Sequence, residues 1–141
     1  MKHAVEKDFN EIKEAFARHR DIFPHIRTDY IMRKIKSGNV IFQYGTIIIY
    51  RVYKRKTILG EVSARKGDAI IHQILSTQGN GSIVVQEFFD FVKTSVYLTV
   101  RADNKKARDF YERHNMKAIG DINWADGKIE GKVYKIPFDK D

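Results

Sequence analysis

The sequence predicts a mixed α/β fold, and three observations predict it. A β-branched run over residues 68–75 leads through a glycine-rich turn into a helical run over 84–92. A second strand-like run, 95–101, precedes a helical pattern over 104–114. Two further strand-like runs, 118–124 and 128–138, flank Asp126-Gly127, a hairpin-turn dipeptide. No repeat, low-complexity stretch or linker interrupts the chain, so residues 1–141 read as one domain. With 43% hydrophobic content they suffice for one sizeable core but not for two ordinary domains.

From the amino end, residues 3–5 suit a short first strand. Asp8 caps a helix running to about residue 19, with Ile12, Ala15 and Phe16 on its buried side. Residues 23–27 form a loop, and Thr28 or Asp29 caps a second helix that Ser37-Gly38 ends. Residues 40–44 and 46–53 read as strands joined at Gly45, and residues 57–62 extend or follow them.

The central strand runs into Ser76-Thr77-Gln78-Gly79-Asn80-Gly81-Ser82. Val84, Val85, Phe88, Phe89 and Val92 then recur on one helical face, and Ser82 can cap that helix. The glycines allow close backbone approach, while the first-turn amides lack intrahelical acceptors and carry the positive dipole end, so an anion is the natural partner. The competing reading of Asn80-Gly81 is a tight turn between strands. No Gly-Lys-Ser/Thr follows, so this is not a nucleotide P-loop.

The second strand and helix place another loop at the same sheet end. Ala107, Phe110, Tyr111 and His114 share one face of that helix, with Asp103 or Asn104 as its cap. Gly79-Asn80-Gly81-Ser82 followed by Asn104-Lys105-Lys106-Ala107-Arg108-Asp109-Phe110-Tyr111-Glu112-Arg113 resembles the GCN5-related N-acetyltransferases, which use acetyl-coenzyme A. The resemblance covers residues 68–138 well, and the first half in element order. It matches the Asn-x-x-Ala-x-x-Phe/Leu-Tyr-Glu signature at each defining position. Two departures stand out. Ser76 lies three residues before the first glycine, where the family usually has glutamine or arginine, and Asn115-Met116 replaces Gly-Phe after the helix. Asparagine tolerates a left-handed helix end and methionine keeps an apolar plug.

The resemblance implies an acyl-CoA acyltransferase fold: a central mixed sheet splayed at its fourth strand and flanked by about four helices. It also implies direct transfer of acetyl from the thioester to a primary amine of a small molecule, a protein or a nucleobase derivative. Leu75, Ser76, Gln78, Gly79, Asn80, Gly81, Ser82, Asn104, Ala107 and Tyr111 would hold the coenzyme. Tyr111, whose phenol has an ordinary pKa of about 10, would protonate the departing thiolate. His72 is the nominated base, although it alternates with Ile70 and Ile74 on an apolar strand face where a lone histidine is more often a core residue. Glu61 and Asp29 are further carboxylates considered for proton transfer through water, and Trp124 and Tyr30 are aromatics near the acceptor groove. The alternative is a non-catalytic coenzyme A- or nucleic-acid-binding module on the same fold, of the kind found among phage nucleic-acid modifiers.

Composition bounds the rest. Zero cysteines exclude disulfides and a cysteine nucleophile, and the five histidines show no metal-ligand spacing, so no metal is expected. No apolar run approaches the roughly 20 residues that span a bilayer. Without a signal-peptide pattern, a cytoplasmic protein with no membrane partner is expected, as monomer or homodimer. The net charge of +8 is uneven: residues 1–60 hold 13 Lys and Arg against 6 Asp and Glu, and the remainder 13 against 12. A basic amino-terminal half serves solubility and attraction of a polyanionic coenzyme, or contacts nucleic acid.

Overall fold

The computed structural model describes residues 1–138, so the last three positions of the expected 1–141 domain lie outside the described residues. A short 3-10 helix, Glu6–Asp8, leads into α1 (Phe9–Ala17) and α2 (Thr28–Lys36). The strands β1 (Val40–Gln43), β2 (Thr46–Val52), β3 (Thr57–Leu59), β4 (Val62–Ala64) and β5 (Ala69–Ser76) follow. Then α3 (Gly81–Val92), β6 (Val96–Arg101), α4 (Lys105–Arg113), β7 (Lys117–Trp124) and β8 (Ile129–Ile136) complete the order. A six-stranded mixed sheet has the order β1-β2-β5-β6-β8-β7, and β3 and β4 form a separate two-stranded sheet.

Two compact units interleave along the chain, Met1–Tyr50 with Gln73–Phe88, and Arg51–His72 with the chain from Phe89 onward. The first unit is built on α1 and α2. Ile12, Phe16, Ile31 and Ile35 from those helices pack with Ile47, Ile49 and Leu75. The β1–β2 hairpin turns at Tyr44-Gly45, both left-handed (φ 50° and 72°), as a tight two-residue reversal requires. In β2, Thr46 through Tyr50 are all buried, the unbroken pattern of a strand covered on both faces.

The second unit centres on Tyr53, Leu59, Ala64, Ile70, Tyr97 and Val133. Its β3–β4 hairpin lies on β7: Glu61 N donates to Asp121 O (3.0 Å), and Asp121 N donates to Glu61 Oε1 (2.8 Å). Glycine is required at this seam. A Cβ on Gly60 would sit 2.2 Å from Asp121 O, and one on Gly120 2.6 Å from Val62 Cγ2.

Several expectations at element ends are corrected. Residues 3–5 form only an isolated bridge, His3 to Ile41, so the strand expected as fourth is the fifth here once β3 and β4 are separated. Residues 57–62 do not extend β2, because the left-handed Gly60 (φ 58°) reverses the chain into a hairpin. The cap of α2 is the extended Arg27. Thr28 and Asp29 already lie inside the helix, and Asp29 pairs with Arg27 at 3.1 Å. Ser82 is likewise not the cap of α3: the helix opens at Gly81, so Ser82 is its second residue. Asp8 does stand at the cap position of α1, yet its carboxylate accepts from Val5 N (2.9 Å) and stabilises the preceding 3-10 turn.

Candidate functional site

In the first unit, β5 ends at Ser76 and the glycine-rich segment leads directly into α3, the strand–loop–helix order expected. Gly79 is left-handed (φ 76°), and a Cβ there would meet nothing within 4 Å, so the backbone beside it is open to a ligand. Leu75 is buried in the core, which leaves only its main chain for binding. Ser76 Oγ accepts from Thr46 Oγ1 at 3.3 Å.

The loop is fastened to the β1–β2 turn. Thr77 N and Thr77 Oγ1 both donate to Gly45 O (2.9 and 2.8 Å), and Asn80 Nδ2 donates to Tyr44 O (3.2 Å). The side chain of Gln78 lies so close over Gly45 that a Cβ there would be 2.6 Å from Gln78 Cγ. Gly45 therefore supports the loop, a role for which the sequence carries no local signal: the partners are 32 positions apart at Thr77. Val84 N donates to Asn80 O (3.1 Å), closing the first turn of α3, and the start of a helix is the usual place for an anion to bind.

In the second unit, Asn104 caps α4, its Oδ1 accepting from Ala107 N at 3.2 Å. The helix ends as expected: Asn115 is left-handed (φ 68°), Met116 N donates to Tyr111 O (3.1 Å), and the Met116 side chain is buried. Tyr111 is half-buried, with its ring 5.8 Å from that of Phe110 and 6.0 Å from that of Tyr134. Burial raises its phenol above the usual tyrosine range, so it stays protonated at neutral pH. One network was missed in the sequence. The buried Tyr134 hydroxyl accepts from Arg108 Nε (2.9 Å) and donates to Glu112 Oε2, bracing α4 against β8 from beside Tyr111. Arg108 and Glu112 are four residues apart, a spacing that only a third partner on another strand converts into a clamp.

The parallel β5–β6 ladder joins Ala69 to Val96 and Ile70 to Tyr97 and goes no further. His72 lies just beyond it and is exposed, contrary to the core-residue expectation. The reason is local. Ile70, two residues earlier, is covered by Tyr97 and its neighbours, and that cover stops where β6 leaves. The other candidates are engaged elsewhere. Glu61 bonds the Asp121 amide, Tyr30 donates to Gln73 Oε1 (3.1 Å), and Trp124 lies over Gly131, where a Cβ would be 2.4 Å from its ring. Among the described residues no group of three or more His, Cys, Asp or Glu could hold a metal ion.

No family model matches the chain, and no curated protein matches it either. Solved structures do. Ard1 from Thermoplasma volcanium superposes with a TM-score of 0.74 at 15% identity, covering 99% of this chain and 97% of that one. A putative acetyltransferase of the GNAT family from Desulfovibrio desulfuricans gives 0.75 at 12%, covering 99% and 98%. Arabidopsis thaliana NAA60 in complex with acetyl-CoA gives 0.69 at 13%, covering 96% and 97%. On these likenesses, spanning nearly the whole chain, the protein has the fold of the GCN5-related N-acetyltransferases.

Proposed function

We propose that the protein is an acetyl-CoA-dependent N-acetyltransferase that moves acetyl directly from the thioester to a primary amine. The observation that carries this reading is the release of β5 from β6 after Ile70. A strand edge that leaves its ladder partner has main-chain donors and acceptors with which an extended ligand can pair. In this reading the amides of Gly79 to Ser82 take the coenzyme's diphosphate. Bound acetyl-CoA supplies the activated acetyl group. As the amine nitrogen bonds to the carbonyl carbon and the carbon–sulfur bond breaks, Tyr111 gives its proton to the sulfur. The amine's surplus proton leaves to water, with the exposed His72, the one titratable side chain on β5, as its relay.

One feature favours a second, non-catalytic reading: no lysine or arginine stands among residues 76–82, so main-chain donors alone would hold the diphosphate. Thermal denaturation with acetyl-CoA, joined to a thiol-release assay over a panel of amines, separates the two. Acetyl-CoA at a hundred times its dissociation constant is expected to stabilise the protein by about 2.7 kcal/mol, with coenzyme thiol released on addition of an acceptor. Stabilisation without thiol release for any amine would favour the binding module; no stabilisation would defeat both.

A further inference from the structure

The second unit gathers uncompensated positive charge in one place. Arg51, Lys54, Arg55 and Lys56 lie at and after the end of β2, Arg65 and Lys66 follow β4, and all are exposed. Backbone bonds hold the two segments side by side. Thr57 pairs with Ala64 at the base of the hairpin, Tyr53 N donates to Asp68 O (2.9 Å), and Gly67 N donates to Tyr53 O (2.8 Å). Like charges brought together across neighbouring strands cost stability. None of these cations forms an ion pair among the described residues. The acid within the cluster, Asp68, is buried and committed, accepting from Arg65 N (2.9 Å) and Thr94 Oγ1 (3.1 Å). The nearby Glu61 is held by the Asp121 amide. Positive charge continues beside the cluster, where Arg51 lies over the Tyr53 ring (5.4 Å) and Lys135 over the Tyr97 ring (5.4 Å), both rings belonging to one core.

We propose that this cluster docks the phosphodiester backbone of a nucleic acid, independently of base sequence and of acetyl transfer. Cations spread along two segments match a repeating anion better than a single one, and nucleic acid has a dense, regular line of charge. Arg51, Arg55 and Arg65 supply planar forks suited to phosphate oxygens. The Tyr53 ring is buried beneath Arg51, so it offers bases no stacking platform and the contact reads charge alone. A bilayer fits less well. The exposed apolar neighbours are Val52 and Ile58, with no aromatic or leucine wedge to enter an interface.

The test uses the full chain and fluorescence anisotropy with a labelled single-stranded RNA at several salt concentrations. Arg55→Ala/Lys56→Ala/Lys66→Ala is expected to weaken binding about tenfold or more and to lower the salt slope by about two, since three phosphate contacts are lost. Arg18→Ala/Arg20→Ala/Arg33→Ala, in the other unit, should bind as the parent does, and all variants should keep the parent's thermal shift with acetyl-CoA. Lys56→Glu alone gives a second reading should the triple variant melt early, with weaker RNA binding again expected. The proposal is overturned by absence of RNA binding at low salt, or by unchanged affinity in both cluster variants. It is equally overturned if these residues capture phosphatidylserine vesicles or polyglutamate in preference to RNA.

Discussion

Tyr111 is the residue on which the proposed acid step rests. Removing its hydroxyl leaves the ring contacts with Phe110 and Tyr134 in place, so Tyr111→Phe should fold normally and bind acetyl-CoA nearly as well. Its kcat is expected to fall by about a hundredfold or more, the usual worth of a positioned acid, with little change in KM for the coenzyme. Unchanged kcat in steady-state kinetics would take Tyr111 out of the mechanism. His114 makes a different, thermodynamic prediction. It is buried against Phe110, with ring centroids 4.6 Å apart, and burial, reinforced by Arg113, lowers its pKa below the ordinary 6.5. The unfolded chain therefore takes up a proton at a higher pH than the folded one. The stability this group contributes is complete above about pH 6.5 and is lost as pH falls from there toward the folded-state value. His3, lowered by the same cause, acts in the same direction. His114→Phe should flatten the acid side of a melting-temperature profile; a parent profile level from neutrality to pH 5 would refute the assignment.

At the scale of elements, the support of one loop by another decides how well the proposed anion site can be held. Gly45 is left-handed (φ 72°) and has Gln78 and Thr77 packed against it, so an added methyl both strains the turn and displaces the loop. Gly45→Ala is expected to destabilise the protein by about 1–3 kcal/mol and to weaken acetyl-CoA binding beyond what lost stability explains. Calorimetric titration well below the melting temperature reads the second effect by itself, and parent-like affinity would show that the loop does not depend on the turn. The strand–loop–helix order was legible in the sequence because the helical period from Val84 to Val92 is strong and the glycines punctuate it. The support was not, since a contact between residues 45 and 78 leaves no periodic trace. The reversal within residues 57–62, read only as extending or following β2, escaped for a related reason. Each arm has three residues, too few for alternation to reveal a reversal at Gly60. The exposure of His72 also escaped the sequence: alternation gives the face a residue occupies, not how far the neighbouring strand covers it.

For the molecule as a whole, the mixed sheet and the helix order were readable because local patterns agree with one another from residue 68 onward. The amino-terminal half was read less sharply. Its short first strand came out as an isolated bridge, and the cap of its second helix fell on Arg27, ahead of the polar Thr28 and Asp29 that compete for the role. Charge was seen in the sequence as a property of that half. The fold divides it instead, sending Arg18 through Lys36 to one unit and Arg51 through Lys56 to the other, where Arg65 and Lys66 join them.

The backbone passes from one unit to the other at residues 50–51, 72–73 and 88–89. Neither can be cut out as a contiguous fragment, and a nascent polypeptide leaving the ribosome exposes the isoleucines of β2 well before Leu75 and α3 have been synthesised. Maturation must wait for later segments to return to earlier ones, the sort of long-distance closure that slows folding and lengthens reliance on chaperones.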